Sequence, residues 1–533
     1  MGEPSWVQHS LWWHVYPLGF LGADTTGVDR RPGGGAAGVG ARLRGDSGQE
    51  DLPRDDVPRD ESPRDAMPRD HTLRDLIPWL DYLTELGLNG LALGPIFAGE
   101  THGYDTVDYF RIDERLGTDD DFDALVAGCR ERGVRLMLDG VFNHVGRSYP
   151  DREELQSDSV FEGHESLVEL DHGRPEVAQL VTRVMDHWLS RGADAWRLDA
   201  AYAVPPAFWR SVLPAIRERH PQVYVVGEIL HGDYAELVRA SGMDACTQYE
   251  LWKATWSALN DRNFFELEWG LRRNDEMLAT MVPWTFLGNH DVTRIASQLV
   301  DERLLPLALV LLLTLPGTPA VYYGDEQGFR GVKEERAGGD DEIRPAFPAT
   351  PADLSPLGWP VYRLMQELIG LRRRHSWVHR ARVETVHLTN EQFVYVVAAH
   401  EDPGVPGVPG DLGGQDGPGD HGDLGEQDGP GNQNGPGDVE RRLLVALNAG
   451  EEPVDVPLTR VGAGGPAGAG NVGGDRDGEV GPREEGGSSD QGVAGGRLRR
   501  IAGSAELIPA DGAPNAVVRM PGYGWGVFEV GGR

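Results

Sequence analysis

Ala193-Asp-Ala-Trp-Arg-Leu-Asp199 is a short, mostly apolar run that ends on a carboxylate, and it follows a helical pattern over 176–190. A helical period giving way to a brief apolar stretch reads as one helix-to-strand step. The same alternation recurs on both sides of it. Strand candidates fall at 11–17, 90–93, 135–139, 193–198, 223–226, 245–249, 285–287 and 320–322, with helical patterns at 72–86, 119–132, 176–190, 206–219 and 303–314. Eight such strands, separated by helices, predict an α/β chain whose parallel sheet closes into a (β/α)8 TIM barrel. Asp119, Asp120 and Asp121 open the second of these helices, where negative charge suits the positive end of the helix dipole.

Past residue 377 the pattern changes to short alternating strands at 384–388, 393–399, 441–447, 454–458, 506–508, 516–520 and 524–530. These predict a C-terminal antiparallel β-sandwich packed against the barrel. The division expected is a catalytic barrel over 1–375, with a short subdomain at 145–171, and a sandwich over 376–533. Three stretches break the globular pattern. One, 22–69, repeats Pro-Arg-Asp from Pro53, Pro58, Pro63 and Pro68, and the others, 403–439 and 462–496, are rich in Gly, Asp, Pro and Gln or Glu. Such sequence buries too little apolar area to offset chain entropy, so a disordered insertion is expected at 22–69 and flexible low-complexity insertions at 403–439 and 462–496.

The formal net charge is −35, from 85 acidic and 50 basic residues. That balance lacks the basic footprint of a nucleic-acid binder and disfavours an anionic membrane surface, so neither partner is expected. Cys129 and Cys246 are the only cysteines, too few for a disulfide framework and without metal-site spacing. Residues 1–21 lack the basic start and smooth apolar core of a signal peptide. The apolar run 304–315 contains Pro306 and is too short to span a bilayer. A soluble, cytoplasmic protein follows as the expectation, its oligomeric state left open.

Active sites of TIM barrels lie where the strands end at their C-terminal face. Four segments put chemistry there: Asp139-Gly-Val-Phe-Asn-His144, Trp196-Arg-Leu-Asp199, Gly227-Glu228 and Gly288-Asn-His-Asp291. A carboxylate at the end of an apolar strand faces desolvation that structure alone gives little reason to accept. Any one Asp could simply cap a βα turn. Four segments in this order, on the third, fourth, fifth and seventh strands, resemble the signature regions of the α-amylase family of glycoside hydrolases. Gly103-Tyr-Asp-Thr-Val-Asp-Tyr109 and Tyr322-Tyr-Gly-Asp-Glu326 extend the similarity along the barrel.

The resemblance implies that Asp199 is the nucleophile, Glu228 the general acid/base and Asp291 the residue that binds the sugar and stabilises the transition state. It also implies that His144 and His290 hydrogen-bond the sugar at the cleaved subsite, and that Tyr104 is the aromatic platform under its ring. His102 matches the His-Gly-Tyr of amylases and neopullulanase-like enzymes. Related exo-acting α-glucosidases usually carry an Asp three positions before that tyrosine; Thr101 stands there, which favours a more open cleft. Arg197, two residues before Asp199 on one strand face, is placed to keep that carboxylate ionised, and Asp139 to act as its scaffold. Trp12, Trp13, Tyr16, Phe142, Tyr249, Trp252 and Trp256, on or near strand ends, are expected to serve the substrate as well as the core, the core being the commoner role of such aromatics, with Tyr104 alone singled out as a platform.

No cofactor or metal is expected. Asn143 matches a calcium ligand of many secreted α-amylases, but those follow the nucleophile with Lys-His, where this chain has Ala200-Ala-Tyr-Ala203, and 145–171 is short for a calcium-bearing subdomain. The activity implied is hydrolysis of α-1,4-glucosidic bonds in malto-oligosaccharides or related α-glucans by double displacement. Transglycosylation by the same carboxylates is an alternative, and a non-catalytic carbohydrate-binding or interaction module a third reading.

Overall fold

The structure, a computed structural model, describes residues 2–23, 71–150, 152–336, 338–399, 441–458, 498–509 and 516–530. The insertions expected at 403–439 and 462–496, and all but the first two residues of 22–69, lie outside them. The barrel strands are β1 Trp12–Val15, β2 Gly90–Leu93, β3 Arg135–Gly140, β4 Ala195–Leu198, β5 Tyr224–Gly227, β6 Ala245–Cys246, β7 Trp284–Phe286 and β8 Thr318–Tyr322. Each pairs in parallel with the next from β1 to β6, β7 pairs with β8, and β8 returns to β1. A parallel bridge from Thr247 to Trp284, with Gln248 N–H donating to the Trp284 carbonyl at 2.9 Å, closes the ring between β6 and β7.

The helices that follow the strands are α1 Ile77–Leu86, α2 Asp119–Glu131, α3 Pro175–Arg191, α4 Pro206–Arg219, α5 Tyr234–Ser241, α6 Tyr249–Asn260, α7 Phe264–Leu278, α8 Leu305–Thr314 and α9 Trp359–Arg374. At the acidic start of α2 the Thr118 N–H donates to Asp121 at 2.9 Å, half of a capping box. The predicted sixth strand stops at Cys246; Tyr249 begins α6 instead, because the chain must turn outward once Thr247 has made the closing bridge.

Alternation along the strands divides the core in two. Trp12, Tyr224 and Trp284 point into the barrel, where Ala92, Ala195, Ala245 and Ala320 leave them room, while Trp13 and Trp196 face the helices. Gly90 is required here, since a Cβ would stand 2.5 Å from the Trp12 ring. α8 is buried on every face, and Thr314 on it shares a 2.7 Å hydrogen bond with Tyr395 of the C-terminal region. Among the described residues, no helix is long and apolar enough to cross a membrane.

After α9 comes a two-sheet antiparallel sandwich. Its strands are β9 Arg382–Leu388, β10 Gln392–Ala398, β11 Arg442–Asn448, β12 Val454–Pro457, β13 Leu498–Gly503, β14 Glu506–Pro509, β15 Ala516–Met520 and β16 Trp525–Val530. One sheet runs β9-β10-β11-β16-β13 and the other β12-β15-β14. Val394 and Val396 face the second sheet, whereas Phe393, Tyr395 and Val397 join the barrel's core, so β10 is buried on both faces. β13 was not among the predicted strands. It is an edge strand carrying exposed Arg499 and Arg500, a composition that hides the period-2 pattern.

Within 145–171 the chain leaves the barrel. Leu167–Leu170 pairs antiparallel with His144–Gly146 on one side and with Gln156–Val160 on the other.

Candidate active site

The site grows from the C-terminal ends of β3, β4, β5 and β7. Arg197 on β4 is the hub. Its guanidinium contacts Asp139 at 2.6 Å, Asp199 at 3.0 Å and Glu228 at 2.5 Å. All four residues are buried, with Asp199 7% and Glu228 6% exposed. Two carboxyls held by one rigid guanidinium fork are close neighbours, on the order of the ~5 Å that a double displacement at one sugar carbon uses.

The backbone just past Asp199 is strained to serve this arrangement. Ala200 has φ 44°, a left-handed conformation unusual for a residue with a Cβ, and its N–H donates to Glu228 Oε2 at 3.0 Å. Tyr249, at the start of α6, donates its hydroxyl to Glu228 Oε1 at 3.1 Å, and is itself fixed by Asn289 Nδ2 at 2.8 Å. Tyr249 is among the strand-end aromatics expected to serve the substrate as well as the core. Its ring packs on Phe286, and its hydroxyl belongs to the site.

Three carboxylates around one cation leave surplus negative charge. Burial pushes Asp199 well above the usual carboxylate range; Arg197 pulls it down, and Glu228 and Asp139 add to the rise. Asp139 is raised for the same first reason. Arg197 pulls Asp199 in the expected direction, toward ionisation, while its guanidinium is shared among three acids and burial pulls the other way.

Asp291 is different. Its side chain is 37% exposed, with His290 Nε2 at 2.9 Å and Arg344 Nη2 at 2.9 Å. Burial opposes ionisation here too, but His290 and Arg344 hold the carboxyl far below its ordinary value. Arg344 was not foreseen. It comes from the loop after β8, donates to the His290 carbonyl at 2.8 Å, pairs with Asp340 at 2.9 Å and lies over the Tyr16 ring at 4.8 Å. Nothing local in the sequence marks it, since its partners are far along the chain.

Tyr104 is presented by a loop clamped on Asp105, whose carboxylate accepts N–H bonds from Thr101 at 2.8 Å, Glu100 at 3.1 Å and Gly103 at 3.2 Å. The Tyr104 hydroxyl bonds to Asp139 at 3.0 Å and to His290 Nε2, and its ring stacks on His290 with centroids 5.1 Å apart. Tyr16 also stacks on His290, at 5.8 Å, and donates to the His102 carbonyl at 2.8 Å. His102 Nδ1 accepts the Tyr104 N–H at 3.2 Å. His144 Nε2 lies 2.9 Å from the Tyr104 carbonyl beneath the Phe161 ring, and burial lowers its pKa to about 4, so it is neutral at pH 7. Every residue singled out from the sequence thus falls in one connected cluster. Tyr16, Tyr249, Asn289, Asp340 and Arg344 complete it.

The Asn143 Nδ2 lies 3.3 Å from His144 Nδ1, and among the described residues no group of three or more His, Cys, Asp or Glu is placed to hold a metal ion.

A family model described as "Alpha amylase, catalytic domain" matches residues 14–159 and 153–355. A cyclomaltodextrinase of Geobacillus thermopakistaniensis is 29% identical over 413 residues, covering 71% of this chain and 65% of that protein. An intracellular maltogenic amylase of Bacillus subtilis is 28% identical over 364 residues, covering 62% of this chain and 57% of that protein. These matches thus span less than two thirds of either relative's length. An Anoxybacillus α-amylase crystal structure superposes with a TM-score of 0.69 at 18% identity, covering 99% of both chains, a likeness of fold.

Proposed function

Because the chain belongs to the α-amylase family, we propose that it is a retaining α-glycoside hydrolase acting on the α-1,4 bonds of malto-oligosaccharides or related α-glucans. The single observation that carries this reading is the sharing of one guanidinium by Asp139, Asp199 and Glu228. In it Asp199 attacks the anomeric carbon while Glu228 gives its proton to the departing oxygen; Glu228 then takes a proton from the water that releases the glucosyl-enzyme. Positive charge developing on the sugar favours ionised Asp199, reversing the effect of burial at the moment the charge is needed. Asp291, held anionic by His290 and Arg344, adds to that stabilisation and grips ring hydroxyls. Tyr104, His102, His144 and His290 line the subsite around the same ring.

A cytoplasmic setting belongs to the same proposal, supported by the relative named as intracellular. Glu228→Gln tests the reading. Turnover of maltotriose should fall about 10²- to 10⁴-fold, and that of a substrate with an acidic phenol leaving group far less. Equal losses on both substrates would remove Glu228 from the acid's role. The maltotriose products also separate hydrolysis from transfer, since oligomers longer than three units form only by transfer.

A further inference from the structure

The opposite end of the barrel holds a cavity of about 190 Å³. That is roughly six times the ~30 Å³ share of one liquid water. It lies where Ser10 and Leu11 lead into β1 and where α9 passes into the 3-10 turn Ser376–Arg380. Among the described residues its walls carry Arg372, Arg373, His9, His379, Ser10 and Ser376, and no carboxylate. In a chain with 85 acidic residues against 50 basic ones, an acid-free pocket with two guanidiniums and two imidazoles is out of keeping with the whole.

Arg372 sharpens the point. It is 5% exposed and donates to the carbonyls of Leu313, Leu315 and Gly317, which caps the end of α8. Those carbonyls satisfy N–H groups without neutralising the charge. Burial alone lowers the Arg372 pKa to about 9, with no acid opposing it. Glu3 pairs with the His379 imidazole at 2.8 Å and with Arg380 at 2.9 Å, so among the described residues the cationic groups of the cavity left without an acid partner are those of Arg372 and Arg373. A buried, unneutralised guanidinium is costly, and an anion in the adjoining cavity would relieve that cost through charge-assisted hydrogen bonds.

We propose that this cavity is a binding site for a small phosphate-bearing anion, inorganic phosphate or a sugar phosphate, held by Arg372, Arg373 and Ser376. The site stands at the strand-N-terminal face, where binding bears on stability and not on the bond cleaved at the other end. The thermal midpoint of the full chain is measured against inorganic phosphate and, separately, glucose 1-phosphate, with ionic strength held constant by chloride. The midpoint should rise saturably with phosphate and stay flat in the chloride control. Saturation at a lower concentration of glucose 1-phosphate than of phosphate identifies a sugar phosphate as occupant; the reverse identifies phosphate itself. Arg373 is exposed and gives one of its N–H groups to the Gly87 carbonyl, leaving others for a ligand; Arg373→Gln should fold normally, weaken apparent affinity by about tenfold and leave maltotriose turnover unchanged. Arg373→Lys should recover part of that loss. A wild-type midpoint that responds equally to phosphate and chloride, or an Arg373→Gln curve that superimposes on the wild type, overturns the proposal.

Discussion

Arg197 and Arg294 are both buried beside strand-end acids, yet their surroundings are opposite. Arg197 faces three carboxylates with little else to balance them. Among the described residues Arg294 pairs with one acid, Asp325, at 2.9 Å, donates from Nη1 and Nη2 to the carbonyls of Tyr323 and Ile343, and lies 4.6 Å from the centre of the Tyr322 ring. Next to it, Glu326 is satisfied without a cation, by Tyr82 at 3.1 Å, Trp13 at 3.4 Å and the Gly324 N–H at 2.9 Å. A balanced cluster behaves as part of the fold's framework. A cluster with surplus negative charge favours a partner that becomes positive. The contrast therefore separates a scaffold from a reaction centre by charge balance, where burial alone would not.

The sharpest way to break this contrast is Asp199→Asn. Loss of the nucleophile should reduce turnover on the order of 10⁴-fold or more, while the thermal midpoint holds or rises because one crowded charge is gone. A marked fall in the midpoint would make the Arg197 cluster structural after all. Asp325→Asn should do the reverse. It leaves Arg294 buried without its acid and should cost about 3–5 kcal/mol of stability, with turnover per folded molecule retained, as measured by denaturant melts and active-site titration.

Glu326 gives the contrast a pH dependence. Burial raises its pKa from the ordinary 4.5 to about 7. A folded-state value above the unfolded one means that its contribution is fully present below pH 4.5 and is lost as pH rises through 7, about 3 kcal/mol in all. Glu326→Gln should flatten that part of the stability profile between those limits; parallel wild-type and variant profiles would place the proton elsewhere. The smallest effect is expected from Tyr249→Phe, which removes one hydrogen bond to Glu228. A fall of about tenfold in kcat/KM, with a displaced pH profile, is the expected reading. No displacement would leave Tyr249 a packing residue only.

Much of the barrel could be read from the sequence because the signal is local. Each of the eight strand candidates overlaps an observed barrel strand, and Asp199, Glu228 and Asp291 follow strands whose neighbours are fixed by closure. The same rule, an acid just after an apolar strand, also points to Asp325 and Glu326, and only the resolved partners show that those two are framework. Arg344 was invisible for the opposite reason: it reaches Asp291 from a loop 53 residues away in sequence. Tyr249 packs its ring in the core and gives its hydroxyl to Glu228, a division of one side chain that composition cannot show. β13 escaped notice because an edge strand carries charge where the pattern expects alternation.

The barrel's closure has a mechanical implication. Elsewhere around the ring neighbouring strands share ladders of two to four residue pairs, but β6 and β7 meet through the single bridge Thr247–Trp284. Glu228 follows β5 and Asp291 follows β7, so this weakest seam runs between them. Local opening there would part Glu228 from Asp291 while the other strand ladders remain intact, so the proposed site would come apart at less cost than the fold that houses it.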